Sequence, residues 1–506
     1  MRQVRILASL AFCLALASSA FATAKITIRN TDQAGVGFND TTAAAPVGGN
    51  AGTTLGQQRL NAFRAAADVW GDTIDSKVEI IIDASFAPLS CTATSATLGS
   101  AGPTRIFSDF ENAPKANTWY VSALANKIAG VDLHDDGAAH IRARFNGDLD
   151  KPSCLGTVSW YYGLDGNHGE DVDLVVVLLH EFAHGLGMVG SVVVPGNSSD
   201  TATPGSLRYQ GIPMVYDTLA LDNSTGLRLD QESDEQRATA LVNDQNLVWA
   251  GQLSTTAAGK YLRAQALLTI AGSTPVSKTF AAGFAFFGPE APLAGLTGRI
   301  AAATDAAEPA SGSTSSGSTT DGCSAFNNAS SIAGRIALVD RGRCNYSQKA
   351  RNAQDAGAIA VLVVDNGFDS IPPNMSGSDS SLTIPTISVT KQNGDAIRAA
   401  LSLNLDATLR SDPTKRNGAD TTGSVKLYAP GDPSPGSTYS HWDVTAVPNL
   451  LMEPRINDDL SHGLDITNDQ LNDIGWNTGS STSPVQPPPE PTNGGFNGRR
   501  ILKRKP

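Results

Sequence analysis

Regular alternation of apolar and polar residues predicts several half-buried strands in the first third of the chain. Three segments show it: KITIRN (25–30), KVEIIIDASF (77–86) and HIRARFN (140–146). Successive side chains of a strand point to opposite faces, so this pattern is typical of a strand with one face on a core. Residues 53–74 instead carry apolar side chains every three or four positions, which predicts a helix. SWYYG (159–163) is predicted to be a short edge strand.

The pattern changes at about residue 279, where apolar runs alternate with amphipathic stretches. In order they are AGRIALVDRGRC (333–344), NYSQKARNAQDAGA (345–358), IAVLVVDN (359–366), IPTISVT (384–390) and KQNGDAIRAAL (391–401). These segments predict strand, helix, strand, strand and helix, an α/β alternation with its own apolar core. The Ser/Gly-rich run at 311–322 is predicted to be a surface loop.

The order of these elements resembles the protease-associated domain. The resemblance is carried by GRIALVDRGRC, by the helix after it and by IPTISV, and it extends over residues 279–410. We therefore predict an inserted protease-associated domain at residues 276–412. No catalytic constellation occurs within it, so the resemblance implies an accessory domain for substrate access or positioning.

The segment EDVDLVVVLLHEFAHGLG (170–187) is ambiguous by propensity, because three consecutive valines suit a buried strand. Its histidines decide between the alternatives. On a strand, His180 and His184 would lie about 13 Å apart, whereas on a helix four residues rise only about 6 Å. Only the helix lets one metal ion bridge both imidazoles. We therefore predict a helix at about residues 172–186.

This helix carries the HExxH pattern of zinc hydrolases. Zinc accepts imidazole nitrogens, so His180 and His184 supply two of the three protein ligands that a catalytic site needs. Glu181, beside the first histidine, is placed to take a proton from a water molecule activated by the metal. The sequence therefore predicts a hydrolytic zinc site on this helix.

The third zinc ligand is not found where the short metzincin pattern HExxHxxGxxH puts it. Gly187 occupies the glycine position of that pattern, but Gly190 replaces its third histidine. His441 and His462 follow the helix and are the candidates for the missing ligand. His441 is favoured because Met452 follows eleven residues later, in the place of a methionine turn.

The helix, the SHW that contains the later histidine and the LM before a proline together resemble the leishmanolysin family of zinc metalloproteases. That family also has an insertion before its third histidine. The resemblance implies that His180, His184 and His441 bind one catalytic Zn²⁺ ion, that Glu181 is the general base and that Met452 is the turn methionine.

The fold class implied is α+β, with a metzincin-like zinc protease catalytic domain that is discontinuous in sequence. Its first part covers residues 25–275 and its second part residues 413–478, and the α/β protease-associated domain is inserted between them. The implied activity is that of a secreted zinc endopeptidase, which hydrolyses peptide bonds of proteins and binds its substrate in an extended conformation along an edge strand.

Two other interpretations stay open. In a gluzincin-like zinc hydrolase the third ligand is a downstream glutamate, and Glu232 and Glu235 are the available residues. The other interpretation is a secreted binding protein with a degenerate site, for which Gly190 is the support. Glu181 argues against it, because a binding protein has no use for a general base.

The first 24 residues have the character of a signal peptide. Arg2 and Arg5 precede an apolar run at 6–17, and ATA at 22–24 is a small-residue cleavage site. We therefore expect a protein that is secreted or periplasmic and starts at residue 25. No other stretch approaches about 18 uninterrupted apolar residues, so no membrane span is predicted.

The chain is acidic over most of its length. Without the two arginines of the signal segment, 35 basic residues face 49 acidic ones, a net charge of −14 that excludes nucleic acid as an expected partner. Residues 479–506 form the exception, a Pro-rich and basic tail predicted to be disordered. His134 with Asp132, Asp135 and Asp136 suggests Ca²⁺ or a second metal, but a solvated acidic loop is the favoured interpretation.

Four cysteines remain outside the signal segment, an even number that favours disulfides in an oxidising compartment. Three pairings are possible. Proximity in sequence and the division into domains favour Cys91 with Cys154 and Cys323 with Cys344.

Overall fold

The structure is a computed structural model that describes residues 23–134, 136–196, 201–307, 317–367, 371–434 and 436–477. The predicted signal segment lies outside the described residues except for its last two positions, and the predicted tail at 479–506 lies outside them entirely. Within these ranges, no helix combines the length and the apolar character that crossing a bilayer requires.

Helices and strands are mixed along the chain. The helices are α1 (Leu55–Thr73), α2 (Ser122–Ala129), α3 (Leu174–Leu186), the irregular turn α4 (Arg208–Gly211), α5 (Asp234–Ala240), α6 (Gln252–Tyr261), α7 (Ala329–Ile332), α8 (Tyr346–Asp355), α9 (Lys391–Ala399) and α10 (Ile466–Asp473). The first eleven strands are β1 (Ile26–Asn30), β2 (Ile80–Ala87), β3 (Gly99–Pro103), β4 (Ile106–Phe107), β5 (Tyr120–Val121), β6 (Ile141–Asn146), β7 (Trp160–Tyr161), β8 (Val172–Asp173), β9 (Ala220–Asp222), β10 (Leu227–Arg228) and β11 (Leu247–Trp249). The other seven are β12 (Ala264–Ile270), β13 (Thr279–Ala282), β14 (Leu296–Ala302), β15 (Ile336–Asp340), β16 (Ala360–Val364), β17 (Thr386–Val389) and β18 (Asp406–Arg416).

The first part of the chain forms a four-stranded sheet of order β1-β2-β6-β3. Strands β1, β2 and β6 are parallel, and β3 is antiparallel at the edge. Alternate residues of β2 are buried, as the sequence pattern predicts. Strand β7, within the predicted SWYYG segment, pairs with β8, and β8 runs directly into α3.

Helices α1 and α3 pack against this sheet through aromatic side chains. The ring centroid of Phe63 on α1 lies 5.0 Å from that of Phe145 on β6 and 6.0 Å from that of Phe182 on α3. The indole N–H of Trp70 donates to the carbonyl oxygen of Leu179 at 3.1 Å. Because these contacts join one strand and two helices, they fix the position of α3 over the sheet.

A seven-stranded sheet of order β13-β12-β18-β14-β15-β16-β17 forms a second unit. Its central strands are buried on both faces. Ile336 and Leu338 of β15 belong to one apolar cluster, and Ala337 and Val339 belong to another on the opposite face. This arrangement explains the uninterrupted apolar runs of the sequence, which are typical of parallel strands covered on both sides.

One hydrophobic core combines two distant parts of the chain. Its buried residues come from positions 24–262 and 419–476, whereas the two clusters of the second sheet contain residues 266–409. The second unit begins earlier than the predicted position 276, because β12 pairs antiparallel with β18 and brings Ala264 opposite Arg416. The chain therefore enters and leaves this unit at neighbouring points, which lets the flanking parts form one core.

Both predicted disulfides are present, Cys91–Cys154 in the first unit and Cys323–Cys344 in the second. Ala24, the last residue of the predicted signal segment, makes contacts within the fold. Ala24 is buried, and its N–H lies 2.9 Å from the carbonyl oxygen of Gly71 at the end of α1. The fold therefore uses a residue that the predicted cleavage after position 24 would remove.

Candidate metal centre

Helix α3 begins and ends at residues suited to those positions. The carboxylate of Asp173 accepts the N–H of Val175 at 2.9 Å and caps the N-terminus. Gly187 ends the helix with φ +133°, where a Cβ would lie 2.5 Å from Ile474. Within the last turn, Gly185 lies against Ile141, because an added Cβ would be 2.5 Å from that side chain. The helix is therefore held closely over β6.

The structure brings His180 and His184 of α3 together with His441, which is 261 residues from the first in sequence. Each offers one ring nitrogen, and the three nitrogens all lie within 4.8 Å of one another. The Nε2 atoms of His180 and His441 are 3.2 Å apart. All three side chains are buried. Among the described residues, these three are the one group of histidine, cysteine or carboxylate side chains with metal-binding geometry.

Backbone carbonyl groups fix the tautomer of each ring. Nδ1 of His180 lies 2.7 Å from the carbonyl oxygen of Leu451, and Nδ1 of His184 lies 2.7 Å from that of Met188. Nδ1 of His441 lies 2.8 Å from the carbonyl oxygen of Ser437. A carbonyl oxygen can only accept, so each Nδ1 donates a proton, and in the neutral ring Nε2 then carries a lone pair.

This donor set fits a zinc ion. The Nε2 atoms of His180 and His441 are 3.2 Å apart, and two nitrogens that both carry a lone pair repel each other at this distance unless they share a metal ion or a proton. Neutral imidazoles whose second nitrogen donates to a carbonyl group are the usual form of histidine ligands. Three such ligands and an open fourth position are typical of catalytic zinc.

The side chain of Glu181 is hydrogen-bonded to the edge strand β3. Its Oε2 accepts the backbone N–H of Ala101 on β3 at 2.8 Å, and its side chain is buried. The carboxylate is thus held at the edge strand, and Glu181 follows His180 directly in sequence. The part played by Ala101 could not be predicted from the sequence, because a backbone N–H has no residue signature.

Met452 lies in a buried turn that contacts the histidine cluster through the backbone. The carbonyl group of Leu451 accepts from His180, and the carbonyl group of Met452 accepts the N–H of Trp442 at 2.8 Å. Asp465 holds the same turn, because its carboxylate accepts the N–H of Leu451 at 2.5 Å. Burial raises the pKa of the Asp465 carboxyl. The turn therefore orients one ring of α3 and anchors the residue after His441.

Position 190 is filled by groups from elsewhere in the chain. A Cβ on Gly190 would lie 2.0 Å from the hydroxyl oxygen of Tyr439 and 2.3 Å from a carboxylate oxygen of Asp217. The Tyr439 hydroxyl donates to Asp217 at 3.1 Å and accepts the N–H of Val192 at 2.8 Å. Burial raises the pKa of the Asp217 carboxyl, which accepts several hydrogen bonds there.

The other candidate ligands lie apart from this cluster. His462 places Nε2 at 2.8 Å from Asp173, the residue that caps the opposite end of α3. Glu232 accepts a hydrogen bond from Thr225 at 2.7 Å, and burial raises its pKa. Glu235 is exposed in the first turn of α5. Neither glutamate belongs to the metal-binding group among the described residues.

The acidic segment around His134 does not form a second such group among the described residues. Asp136 pairs with Arg105 at 2.6 Å, and Asp132 accepts a hydrogen bond from Asn126 at 2.8 Å. Asp135 lies outside the described residues.

Comparison with known proteins identifies one part of the chain. Residues 297–397 match the family model of the PA domain. The second unit contains a PA domain. The match confirms a protease-associated domain and lies within the predicted range 276–412.

Curated relatives match over short segments. Signal peptide peptidase-like 3 of Arabidopsis thaliana is 34% identical over 123 residues, which are 24% of this chain and 22% of that protein. Aminopeptidase YwaD of Bacillus subtilis is 35% identical over 86 residues, 17% of this chain and 18% of that protein. The chain thus spans about a fifth of the length of these relatives.

Among solved structures, BSAP, a zinc aminopeptidase from Bacillus subtilis, is 19% identical with a TM-score of 0.22. The match covers 39% of this chain and 42% of that one. A TM-score this low supports no conclusion about the fold of the whole chain.

Proposed function

We propose that this protein is a secreted, leishmanolysin-like zinc endopeptidase whose metal is held by His180, His184 and His441. The observation that carries the proposal is the convergence of three imidazoles, each with Nδ1 donating to a carbonyl group. Glu181 stands next to one of these rings on the same helix. A purely structural histidine cluster would gain nothing from three buried ring nitrogens held within 4.8 Å of one another.

The zinc ion, when bound, supplies Lewis acidity that polarises a peptide carbonyl group and lowers the pKa of a water molecule. Glu181 takes the proton of the attacking water and delivers it to the leaving nitrogen. The N–H of Ala101 holds the Glu181 carboxylate at 2.8 Å and so limits its rotation. Carbonyl groups at Leu451, Met188 and Ser437 keep the three rings in the tautomer that binds metal.

The substrate is proposed to be a protein segment in an extended conformation along β3. This strand is at the sheet edge with β6 as its neighbour, and it passes the Glu181 carboxylate at Ala101. Edge strands bind extended peptides through main-chain hydrogen bonds. The name of the curated relative aminopeptidase YwaD agrees with peptide-bond hydrolysis, although that match covers 17% of this chain.

Export is proposed as well. The two disulfides are typical of proteins that fold in an oxidising compartment, such as the periplasm or the outside of the cell. We propose further that the catalytic domain is discontinuous, as the sequence indicates, but that its first part ends before β12 and its second part begins after β18, rather than at 275 and 413. The shared hydrophobic core of residues 24–262 and 419–476 supports this division.

The test combines metal analysis with cleavage assays on purified full-length protein. The wild type is expected to contain one zinc per chain and to cleave casein internally. Glu181→Gln is expected to keep zinc and to lose about 10²- to 10⁴-fold in kcat, the usual contribution of a general base. His441→Ala is expected to lose zinc and activity together.

Matched controls separate these effects from general damage. His168→Ala and Glu111→Gln change residues outside the histidine cluster and are expected to keep both zinc and activity. Wild-type cleavage by Glu181→Gln would disprove the mechanism, and normal zinc binding by His441→Ala would disprove the ligand assignment. Release of single amino acids from peptide N-termini without internal casein cleavage would replace the endopeptidase proposal by an aminopeptidase. A wild type that binds zinc and cleaves neither substrate would favour the degenerate binding protein.

A further inference from the structure

The second unit contains a lysine buried against a disulfide. Lys349 lies in the first turn of α8 and has no solvent exposure. Its Nζ is 3.3 Å from Sγ of Cys323 and 3.4 Å from Sγ of Cys344. It also donates to the carbonyl oxygen of Asp321 at 2.5 Å. Lysine is rarely buried completely, because removing an ammonium group from water is costly.

A disulfide gains little from this neighbour, but a thiolate would gain much. The S–S bond is neutral, so an ammonium group interacts with it weakly. When the bond is cleaved, one sulfur leaves as an anion, and a nearby lysine is one of the groups that stabilise a thiolate. Thiol exchange is faster when the leaving sulfur is the more stable thiolate. Lys349 therefore stabilises the cleaved state more than the intact bond.

The two cysteines differ in burial, and their sulfurs differ in hydrogen bonding. Cys323 is buried, whereas Cys344 is partly exposed just before α8. Sγ of Cys323 also accepts the backbone N–H of Cys344 at 3.1 Å. Cys344 is therefore the more exposed cysteine for attack by an incoming thiol, and charge released on Cys323 would be stabilised by an ammonium group and by an N–H.

We propose that the Cys323–Cys344 disulfide is a site of thiol exchange, at which a small thiol such as glutathione attacks Cys344. A bond forms between the incoming thiolate sulfur and Sγ of Cys344, and the original S–S bond breaks with its electron pair passing to Sγ of Cys323. The incoming thiol is oxidised to a mixed disulfide on Cys344, and Cys323 is reduced to a thiolate beside Lys349. This reaction is independent of the proposed peptidase activity.

The chain provides its own control. The Cys91–Cys154 disulfide also joins a partly exposed cysteine to a buried one. In the part of the chain that the structure describes, no lysine or arginine donates a hydrogen bond to Cys91 or Cys154. The two bonds therefore join cysteines of similar burial and differ in whether a lysine ammonium group contacts their sulfurs.

The experiment treats the oxidised, folded, full-length protein with glutathione, traps free thiols by alkylation and quantifies both disulfides by peptide mass spectrometry. We expect the Cys323–Cys344 bond to react at least about tenfold faster than Cys91–Cys154, with glutathione attached to Cys344. Lys349→Met is expected to slow this reaction about tenfold and to leave Cys91–Cys154 unchanged. Lys349→Arg, which keeps the charge, is expected to retain most of the wild-type rate.

Three results would overturn the proposal: equal rates for the two wild-type disulfides, attachment of glutathione to Cys323, or a Lys349→Met protein that reacts at the wild-type rate. The first two are measured on the wild type, so the test remains decisive if the methionine variant does not fold. In that event Lys349→Gln, which can still donate to the Asp321 carbonyl group, replaces it.

Discussion

The hydroxyl group of Tyr439 occupies the space in which a side chain on Gly190 would lie. A Cβ on Gly190 would be 2.0 Å from that oxygen, which donates to Asp217 and accepts from the N–H of Val192. The short metzincin pattern has its third histidine at this position. Here no side chain fits, and the chain that supplies Tyr439 supplies His441 two residues later.

Gly190→Ala is expected to lower the free energy of unfolding by about 1–3 kcal/mol, the usual cost of overpacking a filled site. The added methyl group must displace Tyr439 or Asp217, and His441 moves with the segment of Tyr439. Urea unfolding and zinc titration measure the two effects. Gly259→Ala is the matched control, because a Cβ there has no neighbour within 4 Å. Equal stability of wild type and Gly190→Ala would show that Tyr439 does not fill this space.

His462→Ala distinguishes the two histidines that follow α3 in sequence. His462 contacts the N-cap residue Asp173 at 2.8 Å, so its loss is expected to weaken the start of α3 and to leave zinc content at one ion per chain. Metal analysis and thermal unfolding measure both properties in one preparation. If His462→Ala contained no zinc, His462 rather than His441 would be the third zinc ligand.

The sequence predicts α3 better than it predicts its surroundings. Spacing of His180 and His184 outweighs the strand propensity of the valines before them, and the observed helix Leu174–Leu186 lies within one residue or two of the predicted bounds. Strand β3 could not be predicted, because its sequence GSAGP contains residues that disfavour strands. Small residues are required there, since a Cβ on Gly99 would lie 2.9 Å from the ring of Phe145.

Among the candidate ligands, too, the local sequence pattern predicts some residues, whereas others depend on contacts between distant parts of the chain. The helical pair follows from spacing, whereas the choice of His441 depended on resemblance, since nothing local connects it to a helix 261 residues away. The carbonyl groups that fix the ring tautomers, such as that of Leu451, carry no sequence signal. Metal binding by the three histidines stays a prediction until zinc is measured.

Ala101→Pro removes the N–H that holds Glu181. Loss of a hydrogen bond to a charged group costs about 1.5–3 kcal/mol, so kcat is expected to fall roughly 10- to 100-fold. Zinc content should not change, because no zinc ligand is touched, and proline is tolerated on edge strands. Gly102→Ala is the control, since its added Cβ has no heavy atom within 4 Å. A variant with wild-type kcat would mean that this hydrogen bond does not orient the base.

The mature N-terminus is expected at Thr23. Ala24 is buried, and its N–H contacts carbonyl oxygens at the end of α1. Cleavage after position 24 would remove these contacts, whereas the small residues Ala20 and Ala22, in an A-x-A arrangement, offer an alternative cleavage site that keeps them. Sequencing of the exported protein tests this. An N-terminus at Lys25 would show that the fold does not need Ala24.

Ionisation of Glu453 is expected to lower the stability of the folded protein as pH rises. Its carboxylate is buried beside the methionine turn and accepts the N–H of Leu450 at 3.0 Å and the side-chain amide of Asn457 at 2.9 Å. Burial nevertheless raises the pKa of Glu453 well above its usual value. The folded protein therefore binds this proton more tightly than the unfolded chain. Stability is retained below the unfolded pKa of about 4.5 and is lost as pH rises towards the folded pKa.

Glu453→Gln removes the titrating group and keeps a side chain of similar shape, with an amide that Asn457 can still contact. In the pH window above 4.5, wild-type stability is expected to fall by up to about 1.4 kcal/mol per pH unit more steeply than that of the variant. Urea unfolding from pH 5 to 8, followed by tryptophan fluorescence, measures the two slopes. Glu111→Gln, at an exposed position, should parallel the wild type. Parallel curves for Glu453→Gln and wild type would mean that Glu453 does not change its pKa on folding, and the pH dependence would then belong to other buried carboxyls such as Asp217.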